Sequence, residues 1–249
     1  MILIKSNSQI AEMRKANQIV RDTLKLLQDH TKAGVSTLEL NRLAHEYIVS
    51  QHAVPSFLNY NGFPASICVS IDCEVVHGIP SKRKVLEEGQ IVSYDCGAIL
   101  NGWHGDAART VAVGIISPEC QQLIDVTEQC FFKGVNAIVA GETRLGDLGH
   151  VIQSYAESYG YGVVRDLVGH GIGRQMHEDP EVPNFGKEGH GMRLSAGMTI
   201  AVEPMITMGT EKVDWGSDGW TVKTRDHKPA AHYENTIAIT DNGIEILSL

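Results

Sequence analysis

Helical spacing of apolar residues, three or four positions apart, marks four segments of the chain. This spacing places the apolar residues on one face of a helix. Ser36-Thr-Leu-Glu39 has the pattern of a capping box, and Ser117-Pro118 puts a capping serine before a proline at the first helical position. These signals predict helices that begin near Ser6, Ser36, Ser117 and Thr143, with the last one ending near Ser158.

Between these helices the pattern changes to short segments that are rich in β-branched residues. The order of two helices followed by several strands occurs twice along the chain. Runs of helices and runs of strands, rather than strict alternation, are typical of the α+β class with a largely antiparallel sheet. The predicted strands cover residues 66–71, 90–100, 109–114, 163–168, 199–203 and 236–240.

Short matches relate the two halves of the chain, two of them at an offset of 107 or 108 residues and one at 93. Because no Pro- or Ser-rich linker separates the halves, we expect one catalytic domain, residues 1–249, built from pseudo-symmetric halves of about 1–115 and 116–249. The matches are Ala33-Gly34-x-Ser36-x-Leu38 with Ala140-Gly141-x-Thr143-x-Leu145, Leu86-x-x-Gly89-x-x-Val92-x-x-Asp95 with Leu194-x-x-Gly197-x-x-Ile200-x-x-Glu203, and His77-Gly78-Ile79 with His170-Gly171-Ile172.

Composition narrows the class of protein. The 249 residues carry 21 Lys and Arg against 30 Asp and Glu, a net charge of −9, which argues against a nucleic-acid partner. No apolar run approaches the ~20 residues that span a bilayer, and the start of the chain does not resemble a secretory signal. Five cysteines without C-x-x-C spacing predict reduced thiols. We therefore expect a cytoplasmic protein with no membrane or nucleic-acid partner.

Asn101-Gly102 is a strong signal for a two-residue hairpin turn. Such a turn would place Asp95 opposite Ala108 and Gly97 opposite Asp106, so the two aspartates would be diagonal neighbours on one face. Two unpaired carboxylates on a buried face repel each other and are costly to desolvate. A cation would relieve that cost, whereas a solvated hairpin with exposed aspartates remains the alternative.

Three further residues are ordinary when taken singly but informative together. Glu203 interrupts an apolar run, Glu234 stands just before a predicted strand, and His170 lies in a glycine-rich segment. With Asp95 and Asp106 they form a set of four carboxylates and one imidazole. Such a hard, oxygen-rich set suits two divalent ions and not structural zinc, which prefers thiolates. The sequence contains no H-E-x-x-H, P-loop or G-x-S-x-G motif that would favour another chemistry.

Six ordered motifs resemble those of type I methionine aminopeptidases, which are pita-bread metallopeptidases. The resemblance runs from the first helix to the final strand, and the 33-residue interval from His170 to Glu203 is similar to type I. The motifs are Val76-His77-Gly78-Ile79-Pro80, Gly102-Trp103-His104-Gly105-Asp106, Gly169-His170-Gly171-Ile172-Gly173, His177-Glu178-Asp179-Pro180, Glu203-Pro204-Met205 and Tyr233-Glu234-Asn235-Thr236.

The resemblance implies a pita-bread fold and assigns roles to individual residues. It implies that His77 and His177 flank the substrate without binding metal, and that Glu203 also shuttles a proton. Asp106 and Glu234 would bridge two divalent ions, with Co, Mn, Fe(II) and Zn as the candidate metals. The implied metal ligands are Asp95, Asp106, His170, Glu203 and Glu234, and the implied methionine pocket is formed by Tyr60, Phe63, Cys68, His77, Met176, His177 and Trp220.

The implied reaction is removal of the N-terminal methionine from nascent proteins and peptides, with a preference for a small second residue. The resemblance also implies a monomer that works near the ribosome. Three positions depart from the family pattern: Met176 where Phe is common, His232 where Gln is common and Asn235 where His is common. An Xaa-Pro aminopeptidase or prolidase-like hydrolase and a non-catalytic binding protein on the same scaffold are the alternatives.

Overall fold

The computed structural model describes residues 2–249, which contain four α-helices that begin close to the predicted caps. Ser6 and Gln9 form a reciprocal capping box. Ser36 accepts a hydrogen bond from the Glu39 amide, but the Glu39 carboxylate pairs with Arg42, so the second half of that predicted capping box does not form. The helices are α1 (Asn7–His30), α2 (Thr37–Ser50), α3 (Pro118–Asn136) and α4 (Leu145–Ser158).

The strands of residues 2–249 form one large antiparallel sheet and two small ones. A short 3-10 helix, Tyr60–Gly62, lies between the first two strands. The strands are β1 (Val54–Pro55), β2 (Ile67–Ile71), β3 (Glu74–Val76), β4 (Ile91–Leu100), β5 (Trp103–Ala112), β6 (Gly162–Val163), β7 (Gly169–Gly171), β8 (Glu178–Val182), β9 (Thr199–Val202), β10 (Met205–Thr207), β11 (Val213–Trp215), β12 (Val222–Thr224), β13 (Ala230–His232), β14 (Glu234–Thr240) and β15 (Gly243–Ile246).

The large sheet has the strand order β1-β4-β5-β14-β9-β7-β8, so strands of both halves of the chain meet at the β5–β14 pair. Helices α1 and α2 pack on the first half through a core that includes Leu27, Leu40 and Tyr94. Helices α3 and α4 pack on the second half through residues such as Phe131 and Ile152. The helices thus pack on the strands of each half, and the buried polar residues Asp106 and Glu234 lie on β5 and β14, where the halves meet.

The β4–β5 hairpin has the predicted turn and register. Asn101 and Gly102 both have positive φ, at 53° and 74°, which is the geometry of a type I′ turn. Asp95 pairs with Ala108, and Gly97 pairs with Asp106. The two aspartates are therefore diagonal neighbours, as predicted from the sequence.

Equivalent turns occur at the repeat positions of the two halves. The Gly34 amide donates to the Leu86 carbonyl at 2.8 Å, and the Gly141 amide donates to the Leu194 carbonyl at 2.7 Å. Both glycines have positive φ, at 89° and 78°, so both turns use backbone conformations that favour glycine. The same turn conformation therefore explains why both copies of the repeat motif have a glycine at this position.

Some predicted strand limits were wrong. The strand expected over 163–168 ends at Val163, because Arg165 and Asp166 are exposed where the chain bends towards β7. Strand β5 begins at Trp103, well before the expected 109, because the tight turn starts pairing at once. Within residues 2–249, every helix is too short or too polar to cross a membrane.

Candidate metal centre

Three adjacent strands align carboxylates in one row. Ala108 on β5 pairs with Asp95 on β4 and with Glu234 on β14. Residues directly opposite each other in a sheet share a face, so Asp95 and Glu234 lie on either side of the small Ala108 side chain. Asp106, two residues earlier on β5, points to the same face, and its backbone is fixed by Thr236, whose hydroxyl donates to the Asp106 carbonyl at 2.9 Å.

The second half of the chain supplies His170 and Glu203. His170 lies on β7, and its Nδ1 is 2.8 Å from the Gly171 carbonyl. Because a carbonyl only accepts, Nδ1 carries the proton and the Nε2 lone pair faces the carboxylates. Nε2 is 3.7 Å from Asp106 Oδ2 and 3.8 Å from Glu203 Oε1. Glu203 directly follows β9 and precedes Pro204, which has no amide for strand pairing.

The donor atoms fit a pair of divalent ions. Atoms of Asp106, His170 and Glu234 lie within 4.8 Å of one another, and so do atoms of Asp95, His232 and Glu234. Glu234 belongs to both groups. Buried oxygens of Asp95, Asp106 and Glu234 have no hydrogen-bond partner among the described residues. Buried carboxylate oxygens without donors are costly, and cations would compensate for that cost.

Burial shifts the pKa values of these groups strongly. Burial raises the pKa of Asp95 to about 7 and that of Glu203 to about 8. The pKa values of Asp106 and Glu234 are also raised, first by burial and then by the neighbouring carboxylates. Burial lowers the pKa of His170 to about 3, which keeps its imidazole neutral. The site therefore has a neutral nitrogen donor among acids that are hard to ionise together without cations.

A cavity of about 200 Å³ opens beside the carboxylates, and all twelve residues predicted from the sequence line it. Cys68 on β2 pairs with Asp95, so its thiol faces the same side of the sheet. Burial raises the pKa of Cys68, which suits a pocket wall and not a nucleophile. Phe63 packs edge-on against Trp220, with ring centroids 5.2 Å apart, and Met176 is buried in the same apolar cluster.

The two predicted non-ligand histidines stand at the rim of the acidic group. His177 Nδ1 and the Tyr60 hydroxyl are 2.7 Å apart and hydrogen-bonded. The His177 ring lies 4.2 Å from the His170 ring, measured between centroids. Burial lowers the pKa of His177 and lowers that of His77 to about 4, so both are neutral near pH 7.

Three residues of the site were not identified from the sequence. Phe57 and Asn61 line the cavity, and their position in the sequence next to Tyr60 and Phe63 could have indicated this. His232 was noted only as a departure from the family pattern. Its place two residues before Glu234 was also a signal, because such residues share a face in an extended segment.

Comparisons with known proteins agree with this geometry. A model of metallopeptidase family M24 matches residues 11–241. The chain is 59% identical to a methionine aminopeptidase of Clostridium acetobutylicum, over 100% of this chain and 99% of that protein. It is 48% identical to methionine aminopeptidase 1 of Bacillus subtilis, over 100% of this chain and 99% of that protein. The crystal structure of a methionine aminopeptidase from Rickettsia prowazekii matches with a TM-score of 0.98 at 45% identity and covers all of both chains.

Proposed function

The chain belongs to metallopeptidase family M24, and from this we propose that it removes the N-terminal methionine from peptides and nascent proteins with the help of two divalent ions. The predicted family, the α+β pita-bread fold and the aminopeptidase class are confirmed by full-length similarity to named methionine aminopeptidases. One observation carries the two-ion part of the proposal. Glu234 belongs to two groups of candidate ligand atoms beside an apolar pocket.

The proposed ligands are Asp95, Asp106, His170, Glu203 and Glu234, with Asp106 and Glu234 shared between the ions. When bound, divalent ions supply Lewis acidity and an activated water at neutral pH. The donor set is rich in carboxylates, so Co, Mn, Fe(II) and Zn all suit it, and availability decides which metal binds.

Glu203 is proposed to carry a proton from the attacking water to the leaving amine. Its carboxylate lines the cavity beside His170, so it is placed to accept a proton from the attacking water and to release it to the amine. His177 is proposed to donate a hydrogen bond to the scissile carbonyl. When the Tyr60 hydroxyl donates to Nδ1, the proton of neutral His177 is on Nε2 and available to the substrate. His77, which also lines the cavity, is proposed to bind the scissile amide.

The apolar end of the cavity is proposed to hold the methionine side chain. Phe63, Cys68 and Met176 are buried there, and Tyr60 and Trp220 complete the wall. A long unbranched thioether makes favourable contacts with aromatic rings. A small second residue is proposed to suit the narrow space past the scissile bond.

We further propose that residues 1–249 act as one catalytic domain and as a monomer, because both halves of one chain contribute to the metal centre. Nascent chains with N-terminal methionine are the proposed partners, so the proposed place of action is the cytoplasm, near the ribosome. The bacterial relatives are in keeping with this proposal.

A peptide panel tests the function. Metal-loaded protein is incubated with Met-Ala-Ser, Met-Leu-Ser and Ala-Pro-Ser, and released amino acids are measured. The proposal expects release of methionine from the first peptide well above the second, and no cleavage of the third. Cleavage of Ala-Pro-Ser alone would favour a prolidase-like enzyme. Metal binding without any cleavage would favour a non-catalytic binding protein.

A further inference from the structure

The His232 side chain lies inside the acidic group, although the five proposed ligands do not include it. The residue is 1% exposed and ends strand β13. Its Nε2 is 3.6 Å from Glu203 Oε2 and 3.8 Å from Glu234 Oε2. Both distances are too long for a hydrogen bond. Neither ring nitrogen of His232 has a hydrogen-bond partner among residues 2–249.

The contacts of His232 repeat those of the proposed ligand His170. His170 Nε2 lies 3.7 Å and 3.8 Å from two carboxylate oxygens of the site. Metal–ligand bonds of about 2.1 Å leave two ligands of one ion roughly 3–4 Å apart. Each imidazole nitrogen is thus as far from a Glu234 or Asp106 oxygen as two atoms that bind one ion are from each other. The group of atoms that contains His232 and Glu234 also contains Asp95.

The five proposed ligands serve the two ions unequally. In the proposed set, Asp106 and Glu234 would be shared, and His170 and Glu203 would complete the ligands of one ion. Asp95 would then be the one unshared ligand of the other ion. His232 is the residue that groups with Asp95 and Glu234 within 4.8 Å.

We propose that His232 Nε2 is a sixth protein ligand, which binds the ion held by Asp95 and Glu234. This inference rests on the proposed two-ion function and deepens it. Each ion then has one imidazole, and the Asp95 ion has a donor that suits Zn, Co and Fe(II) better than Mn.

The backbone around His232 is fixed independently of its ring. The His232 amide donates to Thr110 Oγ1 at 2.8 Å, and the Thr110 hydroxyl donates to the His232 carbonyl at 2.9 Å. His232 also pairs with Met205 on strand β10. His232→Gln keeps these backbone bonds and introduces a polar side chain of smaller volume than histidine, so the variant should fold.

The test is a titration of metal-free protein with Co(II), followed by calorimetry and by X-ray absorption at the cobalt edge. For the wild type we expect two bound ions and an average of one imidazole per ion. For His232→Gln we expect the first ion to bind with unchanged affinity and the second ion to bind about 10- to 100-fold more weakly, or weaker still. Loss of a residue that only hydrogen-bonds to a ligand already lowers metal affinity by that factor. The imidazole count should fall to one half per ion.

Two further variants make the outcome specific. His177→Gln removes a neighbouring histidine that is not among the proposed ligands, and it should keep both affinities and the imidazole count. Asp106→Asn should lower the affinity for both ions. If His232→Gln binds both ions as the wild type does, or keeps the wild-type imidazole count, His232 is not a ligand. If Asp106→Asn also binds both ions normally, the proposed two-ion function fails as well, so the two failures are distinguishable.

Discussion

The Tyr60 hydroxyl lies 2.7 Å from His177 Nδ1, and the two rings stack with centroids 5.3 Å apart. The hydrogen bond joins the loop before β2 to the loop before β8. It fixes the orientation of the His177 ring at the rim of the metal centre. A residue of the proposed methionine pocket therefore positions a residue proposed to act on the peptide bond.

Tyr60→Phe keeps the aromatic wall and removes this hydrogen bond. We expect kcat for Met-Ala-Ser to fall about fivefold to tenfold, since one hydrogen bond contributes about 1 kcal/mol. KM and metal content should stay unchanged. Tyr159→Phe is the control, because the exposed Tyr159 hydroxyl bonds to the Tyr155 hydroxyl at the end of α4, away from the candidate metal centre. Equal kcat values for Tyr60→Phe and the wild type would remove Tyr60 from this role.

Met176→Phe tests the proposed methionine pocket. Met176 is 2% exposed and packs with Phe57, Phe63 and Cys68 at the apolar end of the cavity. Replacing a flexible thioether by a rigid ring should change the fit of the methionine side chain and alter KM for methionyl peptides severalfold, with metal affinity unchanged. Met13→Leu, in a separate part of the core, is the matched control. An unchanged KM would exclude Met176 from the pocket.

Lys5 and Glu178 form a buried ion pair that ties the start of the chain to the loop that carries His177. The Nζ and Oε2 atoms are 2.5 Å apart, and each side chain is 4% exposed. Lys5→Met leaves the carboxylate buried and unpaired, which should lower the free energy of unfolding by about 3 kcal/mol. The double variant with Glu178→Gln should recover most of the loss.

Chemical denaturation of the single and double variants measures this effect. Arg225→Met breaks the exposed ion pair with Asp214 and should leave the denaturant concentration at the unfolding midpoint unchanged. If Lys5→Met behaves like this surface variant, the Lys5–Glu178 pair does not hold the loop.

Metal affinity should depend on pH. The pKa values of Asp95, about 7, and Glu203, about 8, are raised above their unfolded values near 4. These groups therefore stabilise the metal-free fold fully below about pH 4, and this contribution is lost as the pH rises through 7 and 8. Ions bind the deprotonated carboxylates, so their apparent affinity should rise between pH 6 and 8, by roughly tenfold per pH unit for each proton released.

Calorimetry in two buffers of different ionisation enthalpy counts the released protons. The stability gap between metal-loaded and metal-free protein should also widen from pH 6 to pH 8. Asp214→Asn, at the exposed β11 strand, should not change the proton count. An affinity independent of pH across this range would show that these carboxylates are not the ligands.

The parts of the fold that depend on local chemistry were predictable from the sequence. Serine caps and Pro118 mark helix starts, and Asn101-Gly102 fixes the register that brings Asp95 and Asp106 to one face. The predicted strand over 163–168 was too long, because local β-propensity does not show where the pairing with a neighbouring strand ends. Val164 still bonds to Met205, but the following residues turn outward.

The environment of His232 was not predictable in the same way. The position of the His232 ring depends on the pairing of β13 with β10, which brings the ring beside Glu203. The Lys5–Glu178 pair joins residues 173 positions apart and has no local signal either. Long-range contacts of this kind set the orientation of side chains within a site whose position the motifs already indicate.

The central claim is that divalent ions held by the carboxylates of both halves carry out methionine removal. Its most direct test is an anaerobic titration of metal-free protein with Mn(II) or Co(II), in which bound ions and methionine released from Met-Ala-Ser are measured together. We predict that turnover appears with bound metal in the wild type and in the surface control Asp214→Asn, and that both metal binding and turnover are lost in Asp106→Asn. Wild-type turnover by metal-free protein, or by Asp106→Asn, would contradict the claim.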